Sequence, residues 1–337
     1  MKAAIEAYCA RIGQDSTLVQ GAGGNVSWKD GDTLWIKASG TWLSEAMNKN
    51  IFVAVDLPHL QQNISSENFL VTPKLNCDTA LRASIETLLH ALMPSQIVLH
   101  LHAIEPLAHL VQKDFEKRFH ELLDKNLRWT SIKYHKPGAA LARAVWAALK
   151  REPDAKVIFL ANHGVVIGAS TLDEVDDILC HLTTSLAVCP RDFVSTQFTS
   201  HVIKLKETLS YLPISDIPVH QLAIDSFLFE LLPTCWALYP DHVVFLGSQP
   251  FCYDDIDQAC ADLLDRNACP EIIFIRNIGV FAQPTLSLAK LIQLKCYYDV
   301  LSRQKNPQII NALNNEQVAE LLNWEAEHYR MNLSKQA

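Results

Sequence analysis

Two histidines separated by one leucine close the run Ile97-Val98-Leu99-His100-Leu101-His102. The run has the length and composition of a buried strand. Side chains two apart on a strand share a face. The imidazoles of His100 and His102 therefore point the same way, close enough to grip one metal ion. A third histidine, His163, stands in Ala161-Asn162-His163-Gly164, which closes a second apolar strand over 156–160. Upstream, Ser84-Ile85-Glu86-Thr87-Leu88-Leu89-His90 reads as helix ending near the first strand and brings a carboxylate, Glu86. Three imidazoles on strand ends plus one carboxylate describe an open metal site. Three imidazoles favour zinc, and such a site also takes manganese, iron or cobalt. A lone strand histidine is ordinarily a hydrogen-bonded core residue. Two of them in an otherwise apolar strand bury polar groups at a cost, which a metal offsets.

The elements that must position these residues follow from periodicity. Residues 1–12 form an amphipathic helix with Ile5, Tyr8, Cys9 and Ile12 on one face. The glycine-rich stretch 21–25 ends in Asn25 and exposes backbone N–H groups. Strands over 26–29 and 33–37 flank Asp30-Gly31-Asp32, which is hairpin chemistry. A further strand is predicted over 52–55, and 57–77 is polar and irregular. A helix is predicted over 79–93, striped by Leu81, Ile85, Leu88, Leu89 and Leu92, with Glu86 and His90 stacked four apart. Residues 114–127 read as helix or irregular cover. A helix over 139–150 and a strand over 165–167 follow. Thr171 with Glu174 three residues on is a capping-box spacing that opens a helix to about residue 187.

Composition narrows the function classes. The chain has 337 residues, 49% of them hydrophobic, enough for one large domain or two ordinary ones. Its formal net charge of -8, with no long basic run, argues against nucleic acid and anionic membranes as partners. No apolar stretch approaches the ~18 residues of a membrane span. The N-terminus carries charges where a signal peptide needs an apolar core. Nine scattered cysteines without CxxC pairs fit reduced thiols in a cytoplasmic protein. The Gly21-Ala22-Gly23-Gly24-Asn25 stretch lacks the strand–GxGxxG–helix context of a dinucleotide site.

The ordered set of motifs beginning at Gly23-Gly24-Asn25-Val26-Ser27, Ile36-Lys37-Ala38-Ser39-Gly40 and Ser84 to His90 continues with His100-Leu101-His102, Pro137-Gly138-Ala139-Ala140-Leu141-Ala142 and Asn162-His163-Gly164. Together these resemble the class II aldolase/adducin family over roughly residues 1–190, in the style of its rhamnulose- and fuculose-phosphate-aldolase-like domains. The resemblance implies an α/β, three-layer fold with a mainly antiparallel central sheet flanked by helices. It implies a divalent metal (Zn2+, or Mn2+ or Co2+) on His100, His102 and His163. Glu86 becomes the catalytic acid/base, and Asn25, Ser39, Gly40 and Ser84 line a pocket for a phosphate or similar anion. Related aldolases often carry two successive serines before the glutamate; here the second is Ile85. A second proton donor is often a tyrosine, and Tyr134 and Tyr211 are candidates by position.

The implied activity is a lyase: retro-aldol cleavage of a ketose or ketose phosphate through a metal-stabilised enediolate, giving dihydroxyacetone phosphate and a small aldehyde. An epimerase, dehydratase or decarboxylase on the same site is the alternative, and a non-enzymatic adducin-like interaction protein a third reading. The intact ligand set speaks against the last. The partners implied are a small sugar or sugar phosphate and further copies of the chain in a homo-oligomer, with a tetramer as the family pattern.

The second half reads as a separate α/β unit. Residues 189–220 contain Pro190, Pro213 and Pro218 and bridge a metal domain over 1–195 to a C-terminal domain over 215–337. Residues 91–100 resemble 237–246, and 157–165 resemble 272–280. A degenerate second copy follows, in which the metal positions become Leu246, Ser248 and Ile278. A closing helix is predicted over 317–331, with Leu321, Leu322, Trp324 and Tyr329 available for packing.

Overall fold

Short runs rich in Val, Ile, Leu and Trp form the strands, and the hairpin at Gly31 starts the sheet. The computed structural model describes residues 1–193, 210–266 and 269–325. These fall into two compact units: Met1–Val188 with the described residues from Asn323, and Cys189–Leu322.

The first unit holds a seven-stranded sheet. Its strands are β1 (Asn25–Asp30), β2 (Thr33–Lys37), β3 (Phe52–Asp56), β4 (Ile97–Leu101), β5 (Trp129–Ile132), β6 (Val157–Leu160) and β7 (Gly164–Ala169). The order is β3-β2-β1-β4-β7-β6-β5. Every neighbouring pair is antiparallel except β5 with β6. The helices are α1 (Lys2–Ile12), α2 (Leu57–Ser65), α3 (Thr87–Leu92), α4 (Ile104–Leu110), α5 (Phe115–Leu122), α6 (Ala139–Arg151) and α7 (Leu172–Ser185). Leu60 of α2, Leu88 of α3 and Ala142 of α6 cover Leu34, Ile36 and Val53 of the sheet. Leu89 of α3 with Leu141 and Val145 of α6 cover Val98, Ile158 and Val166. Thr171 caps α7 as its spacing predicts, with its hydroxyl accepting the Glu174 N–H at 3.2 Å. No disulfide joins the nine cysteines.

Two local readings change. The predicted helix over 79–93 is helical only from Thr87 to Leu92. Ala83 instead bridges to Ala38, and the Arg82 carbonyl accepts the Ser39 N–H. Ser84 ends the extended run: its hydroxyl accepts the Glu86 N–H and its carbonyl the Thr87 N–H. Pairing with the end of β2 overrides the helical pattern. Within the stretch read as irregular, α2 forms because the Asp56 carboxylate caps the His59 N–H and Pro58 pre-sets the first turn.

The second unit holds a four-stranded sheet: β8 (Leu212–Pro213), β9 (Cys252–Tyr253), β10 (Ile272–Ile275) and β11 (Gly279–Ala282), in the order β8-β11-β10-β9. Its helices are α8 (Gln221–Ile224), α9 (Ser226–Leu231), α10 (Pro240–Leu246), α11 (Ile256–Leu264), α12 (Leu288–Leu301) and α13 (Asn315–Leu322). Of the closing helix predicted over 317–331, the first part belongs to α13, which begins at Asn315 and breaks after Leu322; Glu325 is again helical, and residues 326–331 lie outside the described residues.

The resemblance between 157–165 and 272–280 is a structural one. Both are strand–turn–strand units in which an asparagine, Asn162 or Asn277, takes a left-handed backbone (φ 52° and 57°). A 14-residue helix follows each, α7 and α12. The resemblance between 91–100 and 237–246 is one of letters only, because Pro240–Leu246 is a helix where Ile97–Leu101 is a strand. The strand that pairs with β11 as β4 pairs with β7 is β8. Its Pro213 faces Phe281 as His100 faces Val166.

Candidate metal centre

β4 and the β6–β7 turn bring three imidazoles together. His100 and Val98 lie on the sheet face covered by α3 and α6, and His102 continues that alternation past the strand end. His163 ends the three-residue turn Ala161-Asn162-His163, where the left-handed Asn162 reverses the chain into β7. Gly164 follows it. A Cβ at Gly164 would lie 2.4 Å from the Leu101 carbonyl oxygen and 3.0 Å from His102 Cδ2, so only glycine lets the turn close on β4.

All three histidines are buried. Their ring centroids are 4.9 Å (His100–His163), 5.1 Å (His100–His102) and 5.2 Å (His102–His163) apart. One nitrogen from each lies within 4.8 Å of the others. Nitrogens around a tetrahedral zinc sit about 3.4 Å apart, given Zn–N bonds of about 2.0–2.1 Å, so a small inward adjustment seats an ion.

Glu86, 6% exposed, faces this cluster from the N-terminus of α3. Its Oε2 is 3.4 Å from His100 Nε2, and its Oε1 is 3.3 Å from His163 Nε2. Asn25 Nδ2 donates to Oε2 at 3.1 Å. Burial pushes the carboxyl pKa up, but positive charge on the surrounding rings, His100 and His163 first, outweighs it and holds the group at about 2. It is therefore a carboxylate at neutral pH.

The chemistry of the donor set fits a cation. His100 Nδ1 is 3.0 Å from the Val165 carbonyl oxygen, which can only accept, so Nδ1 carries the proton. In the neutral ring Nε2 then offers a lone pair toward the cluster. A buried carboxylate and an imidazole lone pair facing each other are two acceptors, and a positive charge between them removes the repulsion. The Nδ1–H to carbonyl bond is the kind of outer contact that fixes a metal-binding tautomer.

The other predicted site residues divide. Ser39 and Ser84 are buried and line one cavity of about 430 Å3, with Ile85 between Ser84 and Glu86 in the chain. Asn25 is committed to Glu86 instead, and neither it nor Gly40 is in that lining. Gly40 adopts φ 78° in the turn closed by the Thr41 N–H to the Ala38 carbonyl. Tyr211 is fully buried in the core of the second unit, and its hydroxyl donates to the Pro270 carbonyl. It is a structural residue. Tyr134 is half-buried in the link between β5 and α6.

Two residues of this neighbourhood escape a reading by motif. Ser27 Oγ shares a 2.8 Å hydrogen bond with His90 Nδ1, tying α3 to β1. The period-two pattern that places Asn25 on the site face places Ser27 there too, which is the signal for it. Lys37 is 1% exposed, and its ammonium donates to the carbonyls of Ala22 and Thr41 at 3.1 and 2.7 Å. It joins the glycine-rich loop to the Gly40 turn. A lysine in a half-buried strand gives no sequence signal of that role.

A model of the class II aldolase and adducin N-terminal domain matches residues 4–188. Among curated proteins, the uncharacterized oxidoreductase YuxG of Bacillus subtilis (strain 168) is 25% identical over 208 residues, which cover 57% of this chain and 29% of YuxG. The match thus spans under a third of that relative's length. Among solved structures, the N-terminal class II aldolase domain of a conserved protein from Thermoplasma acidophilum aligns with a TM-score of 0.46 at 21% identity. That alignment covers 54% of this chain and 90% of the other. L-fuculose-1-phosphate aldolase from Thermus thermophilus aligns with a TM-score of 0.37 at 17% identity, over 55% of this chain and 93% of its own. With the family model covering residues 4–188 of 337, the chain belongs to the class II aldolase and adducin N-terminal domain family.

Proposed function

We propose that the chain is a divalent-metal-dependent lyase that cleaves a ketose or ketose phosphate by retro-aldol chemistry. The observation that carries the reading is the ring of three buried imidazoles closed around a buried carboxylate. His100, His102 and His163 hold the ion, with zinc favoured by an all-imidazole set and manganese or cobalt also accommodated. When bound, the ion supplies Lewis acidity for the negative charge that develops on the substrate's carbonyl oxygen.

The chain's own residues do the rest. Glu86 shuttles the proton at the carbon where the bond breaks, as its ionised state and its place beside the ligands suit it to do. Asn25 orients that carboxylate through Oε2. Ser39 and Ser84 line the cavity on the side of the substrate's far end, with Asn25 and Gly40 in the adjoining loops. Lys37 keeps the two loops carrying them together. Burial excludes bulk water from the reacting carbon.

The same reading makes the second unit a degenerate, non-catalytic copy. It repeats the antiparallel–antiparallel–parallel pairing of β4-β7-β6-β5, with Pro213 and Ile278 where the first unit has His100 and His163. Neither can bind a metal. The protein acts in the cytoplasm, in keeping with nine unpaired thiols, and the family resemblance makes it a homo-oligomer.

The test is aldehyde release from a panel of ketose 1-phosphates and unphosphorylated ketoses, with zinc-loaded protein and with Glu86→Gln. The expected result is aldehyde and a three-carbon ketone product. Glu86→Gln should lower kcat by about 10²–10⁴-fold, the usual range for a general acid–base group, while metal is retained. Epimerised, dehydrated or decarboxylated product without aldehyde would overturn the lyase reading.

A further inference from the structure

We infer that the outer edge of β5 is a docking strip for an extended acidic segment of a partner protein, which joins the first unit's sheet as a further strand. The inference is independent of the metal centre and of the function proposed above.

The two edges of the seven-stranded sheet end differently. Beyond β3 the chain closes its own ladder: Val55 bridges to Leu75, the Asp56 N–H donates to the Lys74 carbonyl, and the Asn76 N–H donates to the Ala54 carbonyl. β5 is the last strand on the other side. It runs parallel to β6, and its Arg128 and Ile132 carbonyls accept the N–H groups of Val157 and Ala161. Successive residues of a strand turn their N–H and C=O groups to opposite neighbours. Arg128, Thr130 and Ile132 therefore serve β6, while Trp129, Ser131 and Lys133 turn theirs outward. Among the described residues, these outward groups make no backbone hydrogen bond. They are the template that an added strand pairs with.

There is room for that strand. Ser131 stands level with Phe159, on the sheet face where Phe119 of α5 packs. Ile132 stands level with Leu160, on the face covered by α6. A cavity of about 670 Å3 is lined from both faces, by Glu116 of α5 with Ser131 and by Ala144 and Ala147 of α6 with Ile132. A space bounded from both faces lies along the strand's edge. An added strand sits there, about 4.8 Å from β5.

Charge selects the occupant. The cavity's lining holds Lys133, Arg143 and Arg151 against one acid, Glu116. The three cations are exposed, in a chain whose formal net charge is -8. Glu116 accepts a 3.2 Å hydrogen bond from the Ser131 hydroxyl. Arg143 Cζ lies 5.0 Å from the Phe69 ring centroid, a contact that restrains it. Arg143 and Arg151 are two turns apart on α6, about 12 Å, close to the ~13 Å spanned by four residues of an extended chain. An added strand turns every second side chain toward α6. Carboxylates at those positions meet the two guanidinium groups, and small side chains between them face Ser131 and Glu116. Two β5 edges brought together would set these cations against one another, so the charges that draw an acidic strand keep two copies apart.

The probe is a short, blocked, dye-labelled peptide of alternating threonine and glutamate, with binding to the full chain read by fluorescence anisotropy. It should bind at least about tenfold tighter than the same peptide with lysine for glutamate, or with every second amide N-methylated. Arg143→Gln/Arg151→Gln should weaken it by about 3–10-fold, the worth of two exposed ion pairs, and flatten its salt dependence. Ser131→Pro should keep the fold, because an outward N–H on an edge strand is where proline is tolerated, and should abolish binding. The arginine pair tests the same edge without touching the strand.

No saturable binding of the acidic peptide below about 1 mM would overturn the inference. So would equal binding of the N-methylated peptide, which rules out strand addition, or of the lysine peptide, which rules out selection by charge. A single-stranded oligonucleotide or a phosphatidylserine vesicle that binds through the same arginines more tightly than the peptide would overturn it in favour of another polyanion. Self-association abolished by Ser131→Pro would overturn it in favour of a second copy of the chain.

Discussion

Glu86 is the residue on which the site's electrostatics turn. A carboxylate 6% exposed is costly to ionise unless compensated. Its compensation here comes from imidazoles whose own lone pairs are wanted for a metal. A cation held among the three rings would meet both needs. Gly164 is the small residue that makes this arrangement possible. Alanine there would press on the Leu101 carbonyl and on His102, and both belong to the end of β4. Gly164→Ala is expected to cost about 1–3 kcal/mol of stability, as overpacking typically does, and to reduce bound metal. Denaturation in the presence of chelator measures the strain apart from the metal, and metal analysis of untreated protein measures the site. An alanine variant with wild-type stability and full metal content would contradict this role.

At the scale of elements, a strand and a helix meet in step. Asn25 and Ser27 are two apart on β1, and Glu86 and His90 are four apart at the start of α3. Two strand residues advance about 6.6 Å and four helical residues about 6.0 Å, so the pairs Asn25–Glu86 and Ser27–His90 form together. Burial holds His90 down to about 3, and it is neutral at pH 7. Its bond to Ser27 therefore acts as a fastener behind the site. Ser27→Ala would leave a fully buried imidazole nitrogen without that bond. The expected loss is about 1–3 kcal/mol, seen in chemical denaturation, with a weaker grip of Glu86 on the site. A loss below about 0.5 kcal/mol, the scale of surface changes, would show that α3 is held by its apolar contacts alone.

At the scale of the molecule, the first unit holds the histidine cluster, and the second repeats part of its strand pattern without those histidines. The strands of the first unit were legible because hydrophobic alternation and the Gly31 hairpin are local signals. So was the clustering of three histidines, since the period of two puts His100 and His102 on one face and the Asn162 turn delivers His163. What was not legible depended on contacts far apart in sequence. Ala83 pairs with Ala38 and unwinds the first half of a good helical pattern. Asp56 and Pro58 start a helix in a stretch too polar to show one. Pro240–Leu246 shares letters with β4 but, with a proline at its first position, starts a helix. Trp324 lines the cavity beside Ser39 and Ser84 only because the chain crosses back to the first unit, which no local pattern encodes.

The most direct test of the central claim is metal content of the purified chain beside a His100→Ala/His102→Ala variant whose fold is verified by far-UV circular dichroism. The account predicts about one zinc or similar divalent ion per chain in the wild type, as a closed three-imidazole site requires, and none in the variant. A wild type that carries no ion and cannot be loaded with zinc, manganese or cobalt would contradict it.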